Sequence, residues 1–522
     1  MTFEGYTGQA FYSRYDELTM KNCISRNNYR GLDIYYPKDG KLNDIQVVNN
    51  TGWGMQVYTN GEYHASLTNC KIENNANGVY FNGATEDNLK LVNTTIANNP
   101  GQGVQFYQAE AELSPRTMGT RWKLSNNGYG VVSYYSKMRL EDITISGCAS
   151  WAAVLHYGEA TVRNCNFTGN GNGLYVYHNK SDEISNCHMD DNTTHGLAVA
   201  ANGTYYGYDA DAEPPAWRWM DTPNVTQVRN CTMDRNGYGL HLNRMLQDKI
   251  RITDSPIRDN RSAGLYVASS EFAFNPTVMQ RLFQMSGNNS LIYASYGQYS
   301  FEDLKLADAK GYGVHTWYSD VKMRNCDFVR NGSLGYYSYY DRTLDAKHCN
   351  FQENNSYEMY VYSNGTHYSS TAGAWQDNPR ESHRFVDCDI SKNANGVYLA
   401  YTKDDTVRFV NSPIHDNRGT GLNAQYGDMS FNTKTMAANW NLSNNSGWQI
   451  AVAYGKYDFR DLEFSDTTYG VIAHHSDVTV KNCKFLRNAY AGFQSYYNKS
   501  FDMRDSLPVS YTHLTLPTSD LV

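Results

Sequence analysis

Residues 160–177 read ATVRNCNFTGNGNGLYVY, and variants of this stretch recur through most of the chain. In its last part Leu174 and Val176 alternate with Tyr175 and Tyr177, the pattern of a strand with one apolar face. Most copies are 22 to 27 residues apart. Most have glycine at the position of Gly173, and the residues that we align there are Gly8, Gly31, Gly54, Gly78, Gly103, Gly130, Ala152, Gly173, Gly196, Gly239, Gly264, Ser290, Gly313, Gly335, Glu358, Gly396, Gly421, Trp448, Gly470 and Gly492.

A repeat of this length is typical of a solenoid, in which each copy forms one coil and stacks on the next. Within one coil, or rung, we predict three short strands separated by turns rich in Asn and Gly. In the quoted stretch one strand includes Thr161–Arg163, and a second carries Cys165 and Phe167 after a bend at Asn164. The third strand follows the Gly/Asn turn. The chain is therefore predicted to be all-β, with about 20 rungs.

This repeat resembles the right-handed parallel β-helix of the pectate-lyase-like superfamily, and the resemblance covers about residues 1–506. It implies a single-stranded, right-handed parallel β-helix with three short strands per rung. Superfamily members include polysaccharide lyases, glycoside hydrolases, epimerases, phage tailspikes and non-catalytic surface proteins. The resemblance therefore specifies the fold more narrowly than the function.

The rungs also match at longer intervals of 142, 162 and 157 residues, measured between Gly31, Gly173, Gly335 and Gly492. Two kinds of loop recur at the same phase: Ala109–Thr120, Ser269–Arg281 and Gly427–Ala438, and separately Asn202–Asn224 and Asn364–Glu381. This pattern indicates duplication of a block of rungs within one domain, residues 1–506.

Residues 507–522 do not follow the repeat. Back-translation of Pro508–Thr518 resembles the adapter sequence used in sequencing libraries. We therefore expect the tail to be a sequencing-adapter artefact and the chain to be a fragment of a longer protein.

The net charge of −8 is spread along the chain, which disfavours nucleic acid and anionic membranes as partners. The sequence contains no apolar segment long enough to span a membrane, and no signal peptide is recognisable at its start. Most of the 10 cysteines follow an Asn at one position of the rung. We predict free, buried thiols; bonds within the pairs Cys165/Cys187 and Cys326/Cys349 are the alternative.

The clearest surface pattern is a pair of aromatic residues followed by a cation. Aromatic faces stack on sugar rings, and Lys or Arg can pair with carboxylates or sulfates. We predict carbohydrate-binding positions, with Trp217 and Trp375 as loop contacts; the alternative is that outward tyrosines only cover the sheet. The groups are Tyr35, Tyr36 and Lys38; Tyr177, His178 and Lys180; Tyr339, Tyr340 and Arg342; and Tyr496, Tyr497 and Lys499.

A second pattern places His156, Trp317 and His474 shortly before Glu159, Asp320 and Asp477. A histidine beside a carboxylate suits a general base, but exposed polar turn residues explain this pattern better. A loop carries alternating carboxylates, which suit Ca²⁺, but it lacks the length and glycine of an EF-hand. No other cofactor is evident, and the candidate calcium ligands are Asp209, Asp211 and Glu213.

No catalytic signature of the superfamily's lyases, polygalacturonases or epimerases is present, so no catalytic residue is assigned. The surface patterns return with each block, whereas catalysis needs one convergent set of groups. We predict a secreted or cell-surface protein with a structural or carbohydrate-binding role, and a polysaccharide or glycan surface as its partner. The alternatives are an enzyme acting on acidic polysaccharide and a phage tailspike or fibre. The sequence does not indicate an oligomeric state.

Overall fold

The computed structural model describes residues 1–59, 63–84, 89–201, 204–209, 216–220, 224–246, 249–280, 285–363, 366–369, 374–377, 382–402, 407–437 and 442–509. The chain forms two compact units. The first contains Met1–Leu265 and Thr277–Gln284, and the second contains Tyr266–Pro276 and Met285–Val522.

Within each unit the chain winds through short strands that pair in parallel with the same strand of the next rung. Leu174 pairs with Leu197, for example, and Ser181 with Val225. The predicted all-β parallel β-helix is thereby confirmed, with about 19 turns. Each rung contributes strands to up to three sheets. In one rung, Asn172–Tyr177 belongs to sheet 1, Ser181–Ser185 to sheet 2, and the short segment around His188 to sheet 3.

Sheet 1 contains the longest strands, and Ala263–Ala268 includes the division between the units. In the first unit its strands are Gln9–Arg14, Arg30–Tyr35, Trp53–Tyr58, Asn77–Asn82, Gln102–Tyr107, Tyr129–Tyr134, Trp151–His156, Asn172–Tyr177, His195–Ala200 and Tyr238–Asn243. In the second unit they are Ser290–Ser295, Tyr312–Trp317, Tyr336–Tyr339, Tyr357–Tyr362, Asn395–Ala400, Leu422–Gln425, Trp448–Ala453, Tyr469–His474 and Ala491–Tyr496.

Sheet 2 follows sheet 1 within each rung. Its strands in the first unit are Thr19–Lys21, Gly40–Asn43, Ala65–Thr68, Leu89–Val92, Glu110–Leu113, Lys137–Glu141, Glu159–Arg163, Ser181–Ser185, Val225–Arg229, Lys249–Thr253 and Met279–Gln280. In the second unit they are Glu271–Phe274, Gln298–Glu302, Asp320–Arg324, Thr343–Lys347, His383–Val386, Val407–Val410, Asp428–Phe431, Met436–Ala437, Lys456–Arg460, Asp477–Lys481 and Ser500–Arg504.

Sheet 3 has the shortest strands, and between Ser125 and Thr232 it is reduced to isolated bridges. Its strands in the first unit are Thr2–Glu4, Ile24–Arg26, Gln46–Val48, Lys71–Glu73, Thr95–Ala97, Lys123–Ser125 and Ile257–Arg258. In the second unit they are Met285–Ser286, Lys305–Ala307, Asp327–Val329, Asn350–Gln352, Asp389–Ser391, Ile414–His415, Leu442–Ser443, Glu463–Ser465, Lys484–Leu486 and Leu507–Val509.

Two kinds of element interrupt the rungs. The single-turn helix Pro115–Met118 begins with a proline, which suits the first position of a helix. Two antiparallel hairpins lie in the loops predicted to share a phase, and they are formed by Tyr205–Asp209 with Ala216–Met220 and by Thr366–Ser369 with Ala374–Asp377.

Two loops of the other predicted kind have the same turn, although one lies in each unit. In the first, the Thr117 hydroxyl accepts the Ser114 amide and contacts the carbonyl oxygens of Glu112 and Ser114. In the second, Thr435 makes the same three contacts with Asn432 and Ser430. The matched sequences at these loops therefore have matched local structures.

The interior of each unit is apolar and follows the predicted alternation. Leu174 and Val176 are buried, whereas Tyr175 and Tyr177 lie partly exposed on the outer face. Inward phenylalanines stack between rungs, as in Phe274 and Phe301 with ring centroids 4.7 Å apart. Stacked rings of this kind fill part of the core, together with aliphatic side chains.

All 10 cysteines are free thiols and, except for the half-buried Cys23, all are buried. The prediction of free, buried thiols is therefore confirmed. Burial raises the pKa of Cys70 to about 11 and that of Cys148 to about 11, which leaves both as the unreactive thiol at neutral pH.

A column of buried asparagines closes the turn that precedes sheet 1, and we name it the asparagine ladder. In the first unit it contains Asn28, Asn50, Asn75, Asn99 and Asn127. The Oδ1 atom of each accepts the backbone amide of the preceding one, over 2.9 to 3.1 Å. In the second unit the ladder includes Asn331, Asn354, Asn393, Asn417 and Asn445.

Strand pairing corrects three of the aligned positions. Gln9 pairs with Arg30, Ser290 with Tyr312 and Trp448 with Tyr469, so the residues at the glycine position are Ala10, Leu291 and Gln449. The assignments of Gly8, Ser290 and Trp448 to that position were wrong, because none of these rungs has a glycine at the position itself.

The strand pairing extends slightly beyond the predicted boundary of the repeat. Leu507–Val509 pairs with Lys484–Leu486 and so continues sheet 3 past residue 506. The remainder of the predicted tail, residues 510–522, lies outside the described residues.

Candidate functional site

The outer face of sheet 1 presents side chains from the first, fourth and last positions of each six-residue strand, because the third and fifth point into the core. The second position is glycine where rungs approach closely; a Cβ atom on Gly78 would lie 2.2 Å from the carbonyl oxygen of Gly103. We name the last strand position the strand-end column and the following residue the turn column. Turn-column residues such as Tyr36 and Tyr340 have φ of 52°.

The predicted aromatic pairs occupy these two columns. Tyr35, Tyr177, Tyr339 and Tyr496 lie in the strand-end column. Tyr36, His178, Tyr340 and Tyr497 follow them in the turn column with positive φ. Equivalent sequence positions therefore have equivalent places in the rung.

The second predicted pattern lies in the same strand-end column. His156 pairs with Tyr177, Trp317 with Tyr339 and His474 with Tyr496. The two patterns predicted from the sequence therefore belong to one column of side chains, and their members lie on adjacent rungs. The sequence comparison did not reveal this relation, because it matched rungs that lie 142 to 162 residues apart and not rungs that are adjacent.

Two of the four cations of the first pattern contact carboxylates of the second. Arg342 makes a two-pronged ion pair with Asp320, and Lys180 Nζ lies 3.3 Å from Glu159 Oε1. These ion pairs join successive rungs. They neutralise the positive charges of Lys180 and Arg342, which were predicted to pair with acidic groups of a ligand. Lys38 and Lys499 are exposed, and no ion pair involves either of them in the described part of the chain.

His178 is not at the surface. Its side chain is only 4% exposed, and Nδ1 lies 3.1 Å from the carbonyl oxygen of Thr204, at the base of the first hairpin. His178 was predicted as a ligand contact from the repeated aromatic pattern, whereas its side chain is buried.

Histidines on this face are neutral at physiological pH. Burial lowers the pKa of His156 to about 4 and that of His315 to about 4. A histidine of this kind can accept or donate a hydrogen bond but carries no charge near pH 7. His156 also lies beside aromatic rings and not beside a free carboxylate, so the predicted general-base arrangement does not form there.

An extended aromatic surface lies in the second unit, and we name it the aromatic face. His315 and Tyr337 have ring centroids 4.6 Å apart, and Tyr360 and Tyr398 have the same separation. The face combines the first, fourth and last strand positions with the turn column. Its members are Tyr312, His315, Trp317, Tyr318, Tyr337, Tyr339, Tyr340, Tyr357, Tyr360, Tyr362, Trp375 and Tyr398.

Only Tyr339, Tyr340 and Trp375 of this face were predicted as ligand contacts. Of the others, Trp317 was named only in the second predicted pattern, and the rest were not predicted as ligand contacts. The signal that could have found them is the alternation within each strand, as in Tyr357, Tyr360 and Tyr362.

Trp375 projects from the second hairpin toward the turn column. Its ring centroid lies 5.7 Å from that of Tyr318 and 5.1 Å from that of Tyr340, with interplanar angles of 72° and 69°. The side chain is 51% exposed. Trp217 has the matching place in the first hairpin, where it pairs with Tyr208, but its side chain is outside the described residues.

The predicted calcium ligands are not brought together by described contacts. Asp209 ends the strand Tyr205–Asp209, and Asp211 and Glu213 lie outside the described residues. Within the described ranges, no group of three His, Cys, Asp or Glu side chains could hold a metal ion. Calcium binding at this loop stays a prediction.

The first unit has a polar position within its own aromatic surface. Asp33 occupies the fourth position of Arg30–Tyr35 and is 2% exposed. Its Oδ1 atom and Gln56 Oε1 on the next rung are both buried without a hydrogen-bond partner among the described residues. Burial raises the pKa of Asp33, and Arg30, 3.6 Å away, partly opposes this shift.

Among the described residues, no helix is long and apolar enough to cross a membrane.

Solved structures with similar folds include three proteins of known name. They are the mannuronan C-5 epimerase AlgE6 A-module of Azotobacter vinelandii (11% identity, 88% of this chain and 92% of that chain, TM-score 0.21), the AlgE4 A-module of the same organism (10%, 91% and 91%, TM-score 0.16), and PfbA, a surface adhesin of Streptococcus pneumoniae (8%, 85% and 89%, TM-score 0.20). Likenesses this weak carry no argument about function. None of the curated proteins compared with the chain matches it.

Family comparison agrees with the strand order and the repeat. The family described as "Right handed beta helix region" matches residues 2–118, 116–283, 219–374, 281–434 and 379–507 in overlapping segments. These matches extend over nearly all of the repeat-bearing chain. The chain therefore belongs to the right-handed β-helix family.

Proposed function

We propose that this β-helix protein binds carbohydrate polymers through the aromatic face of its second unit, as a surface-located binding protein and not as an enzyme. The observation that carries the proposal is Trp375, a half-exposed indole held edge-to-face against Tyr318 and Tyr340. An exposed indole beside further rings gives sugar rings an apolar surface on which to stack.

The shape of the aromatic face suits an extended ligand better than a small one. Its rings come from successive rungs, with Trp317 beside Tyr339 and Tyr339 beside Tyr362. A polymer that lies along the rungs would make one weak contact after another, and such contacts reinforce each other through effective concentration.

The charges near this face favour a neutral polysaccharide over an acidic one. Arg342 is the cation nearest in sequence to Tyr339 and Tyr340, and it is ion-paired with Asp320. The chain as a whole carries a net charge of −8. Binding should therefore depend little on salt concentration, since few unpaired opposite charges would be screened.

The test begins with a glycan array and a panel of insoluble and soluble polysaccharides, followed by titration calorimetry on the best ligand. Trp375→Ala should raise Kd about tenfold or more, the effect of losing one aromatic contact worth about 1.4 kcal/mol. Tyr454→Ala is the matched control, because Tyr454 is 50% exposed in the same unit but, within the described ranges, its ring contacts no member of the aromatic face. Equal affinity of the two variants, or no binding by the unmutated protein, would refute the proposal.

A second candidate function is catalysis on a polysaccharide at Asp33, favoured by its buried carboxyl with an unpartnered oxygen beside the stacked rings of Tyr35 and Tyr58. A carboxyl whose pKa is raised by burial can act as a general acid. Reducing-end and unsaturated-uronate assays on the same panel test this role. Activity that Asp33→Asn abolishes would support catalysis, and inactivity toward every polymer would remove it.

A further inference from the structure

A row of tyrosines in the second unit adjoins the aromatic face at Tyr401, whose ring centroid lies 5.0 Å from that of Tyr362 at an interplanar angle of 46°. Tyr401, Tyr426 and Tyr454 occupy the turn column on successive rungs, with φ of 60°, 57° and 57°. Their backbones are fixed by the rungs, since the amide of Tyr401 donates to the carbonyl of Gln425 and that of Tyr426 to Ala453. We name these three residues the tyrosine ladder.

The rings of the tyrosine ladder lie face to face. Tyr401 and Tyr426 have centroids 5.1 Å apart at an interplanar angle of 16°, and Tyr426 and Tyr454 have the same separation at 8°. The three side chains are nevertheless 38%, 46% and 50% exposed. Because each ring covers a face of its neighbour, much of what remains accessible is the ring edges.

This arrangement suits sugar stacking poorly, because that contact uses a ring face. It suits a different chemistry, which takes place at the edge of a phenol. One-electron oxidation of tyrosine gives a phenoxyl radical whose unpaired electron is shared between the oxygen and the ring carbons beside it. Two such radicals on adjacent side chains combine through those carbons.

We propose that the tyrosine ladder is a site of oxidative cross-linking, in which a peroxidase and hydrogen peroxide join successive rungs through dityrosine. Each of two phenols loses one electron and one proton, a carbon–carbon bond forms between the ring carbons beside the hydroxyls, and proton shifts restore both aromatic rings. The two electrons and two protons reduce one hydrogen peroxide to two waters.

The ladder favours coupling within one molecule. Tyr426 has a tyrosine ring on each side at 5.1 Å, so a radical formed there has two partners already in place. Tyr29 is equally exposed at 50%, but within the described ranges no ring pair includes it. Coupling at Tyr29 therefore requires a second molecule, and dilution suppresses it. The proposal does not depend on carbohydrate binding.

The experiment treats the dilute full-length chain with peroxidase and a limited amount of hydrogen peroxide, isolates the monomer and maps its cross-linked peptides by mass spectrometry. Links between Tyr401 and Tyr426 or between Tyr426 and Tyr454 are expected, together with dityrosine fluorescence. Tyr426→Phe keeps a ring in the stack but cannot form a phenoxyl radical, and it should lose both links. Tyr29→Phe should leave them unchanged.

Circular dichroism of each variant before oxidation verifies that the β-helix is intact. Absence of any link at Tyr426 in the monomer of the unmutated protein would overturn the proposal. The proposal would also fail if all dityrosine were found between molecules, or if Tyr401 and Tyr454 coupled elsewhere as readily as to Tyr426.

Discussion

At the scale of single residues, the alternation of apolar and polar residues along a strand predicts which side chains point into the core. It does not predict how exposed the outward side chains are. The inward positions of Leu174 and Val176 and the outward positions of Tyr175 and Tyr177 follow from the sequence. The burial of His178 does not, because its ring contacts the Thr204 carbonyl, which is 26 residues further along the chain. The pairing of Arg342 with Asp320 was missed for a related reason: the two residues are 22 apart, and only the register of adjacent rungs brings them together.

Asp341 gives a prediction about pH. It is buried and accepts hydrogen bonds from the Ser319 amide, over 2.9 Å, and the Ser338 hydroxyl, over 2.7 Å, yet burial raises its pKa to about 7 from 3.8. The folded state thus retains a proton that the unfolded chain loses between about pH 4 and pH 7. The contribution of Asp341 to stability should fall as pH rises through this window and stay level above it, while the buried histidines contribute the opposite slope below about pH 6.5.

Asp341→Asn should flatten that dependence, because a neutral amide cannot ionise and retains an oxygen for the Ser319 amide. Urea unfolding followed by circular dichroism from pH 4 to pH 8 measures the slope for both proteins. Asp182 is buried with its pKa raised to about 6 and stays in both, so a residual slope below pH 6 is expected. An unchanged slope between pH 6 and pH 7 would contradict the assignment to Asp341.

At the scale of elements, the sequence predicts the turns within a rung. It does not predict the hydrogen bonds of the asparagine ladder, which join the turns of successive rungs. Asn and Gly between apolar runs predict a bend at each corner of the rung. That the same asparagines accept an amide from the preceding rung is a property of stacking, which the spacing within one rung cannot reveal.

The asparagine ladder is expected to stabilise the first unit strongly at each step. Asn75 accepts the Asn50 amide over 3.1 Å and donates to the Val47 carbonyl over 3.0 Å, and it is fully buried. Asn75→Ala leaves both backbone groups buried without these bonds and should cost about 3 kcal/mol of the free energy of unfolding. Asn82→Ala, at a partly exposed strand end, should cost less than about 0.5 kcal/mol. Urea denaturation compares the two, and equal losses would show that the ladder adds nothing specific.

At the scale of the whole molecule, matched residues of the repeated blocks keep the same place in the rung, but their residue types and neighbours differ. His156, Trp317 and His474 have the same place in their rungs, and so do the tryptophans of the two hairpins. The neighbours differ from block to block, so repeated sequence motifs did not identify the aromatic face. The fold could be predicted because every rung supplies the same signal, whereas a binding surface depends on which rungs happen to be adjacent.

The last prediction concerns whether the cysteines stay as free thiols. It tests the proposed surface location, because oxidising compartments outside the cell promote disulfides. Cys165, Cys187 and Cys231 lie on successive rungs, and the Cys187 amide donates to the Cys231 sulfur over 3.4 Å. A hydrogen bond with Cys187 and burial raise the pKa of the Cys165 thiol well above its usual range, and burial closes all three sulfurs to exchange with thiols in solution. Protein prepared without reductant should therefore show 10 reactive thiols in denaturant and about one, Cys23, when folded. Its melting temperature should not change when reductant is added, whereas a deficit of two thiols in denaturant would reveal a bond between rungs.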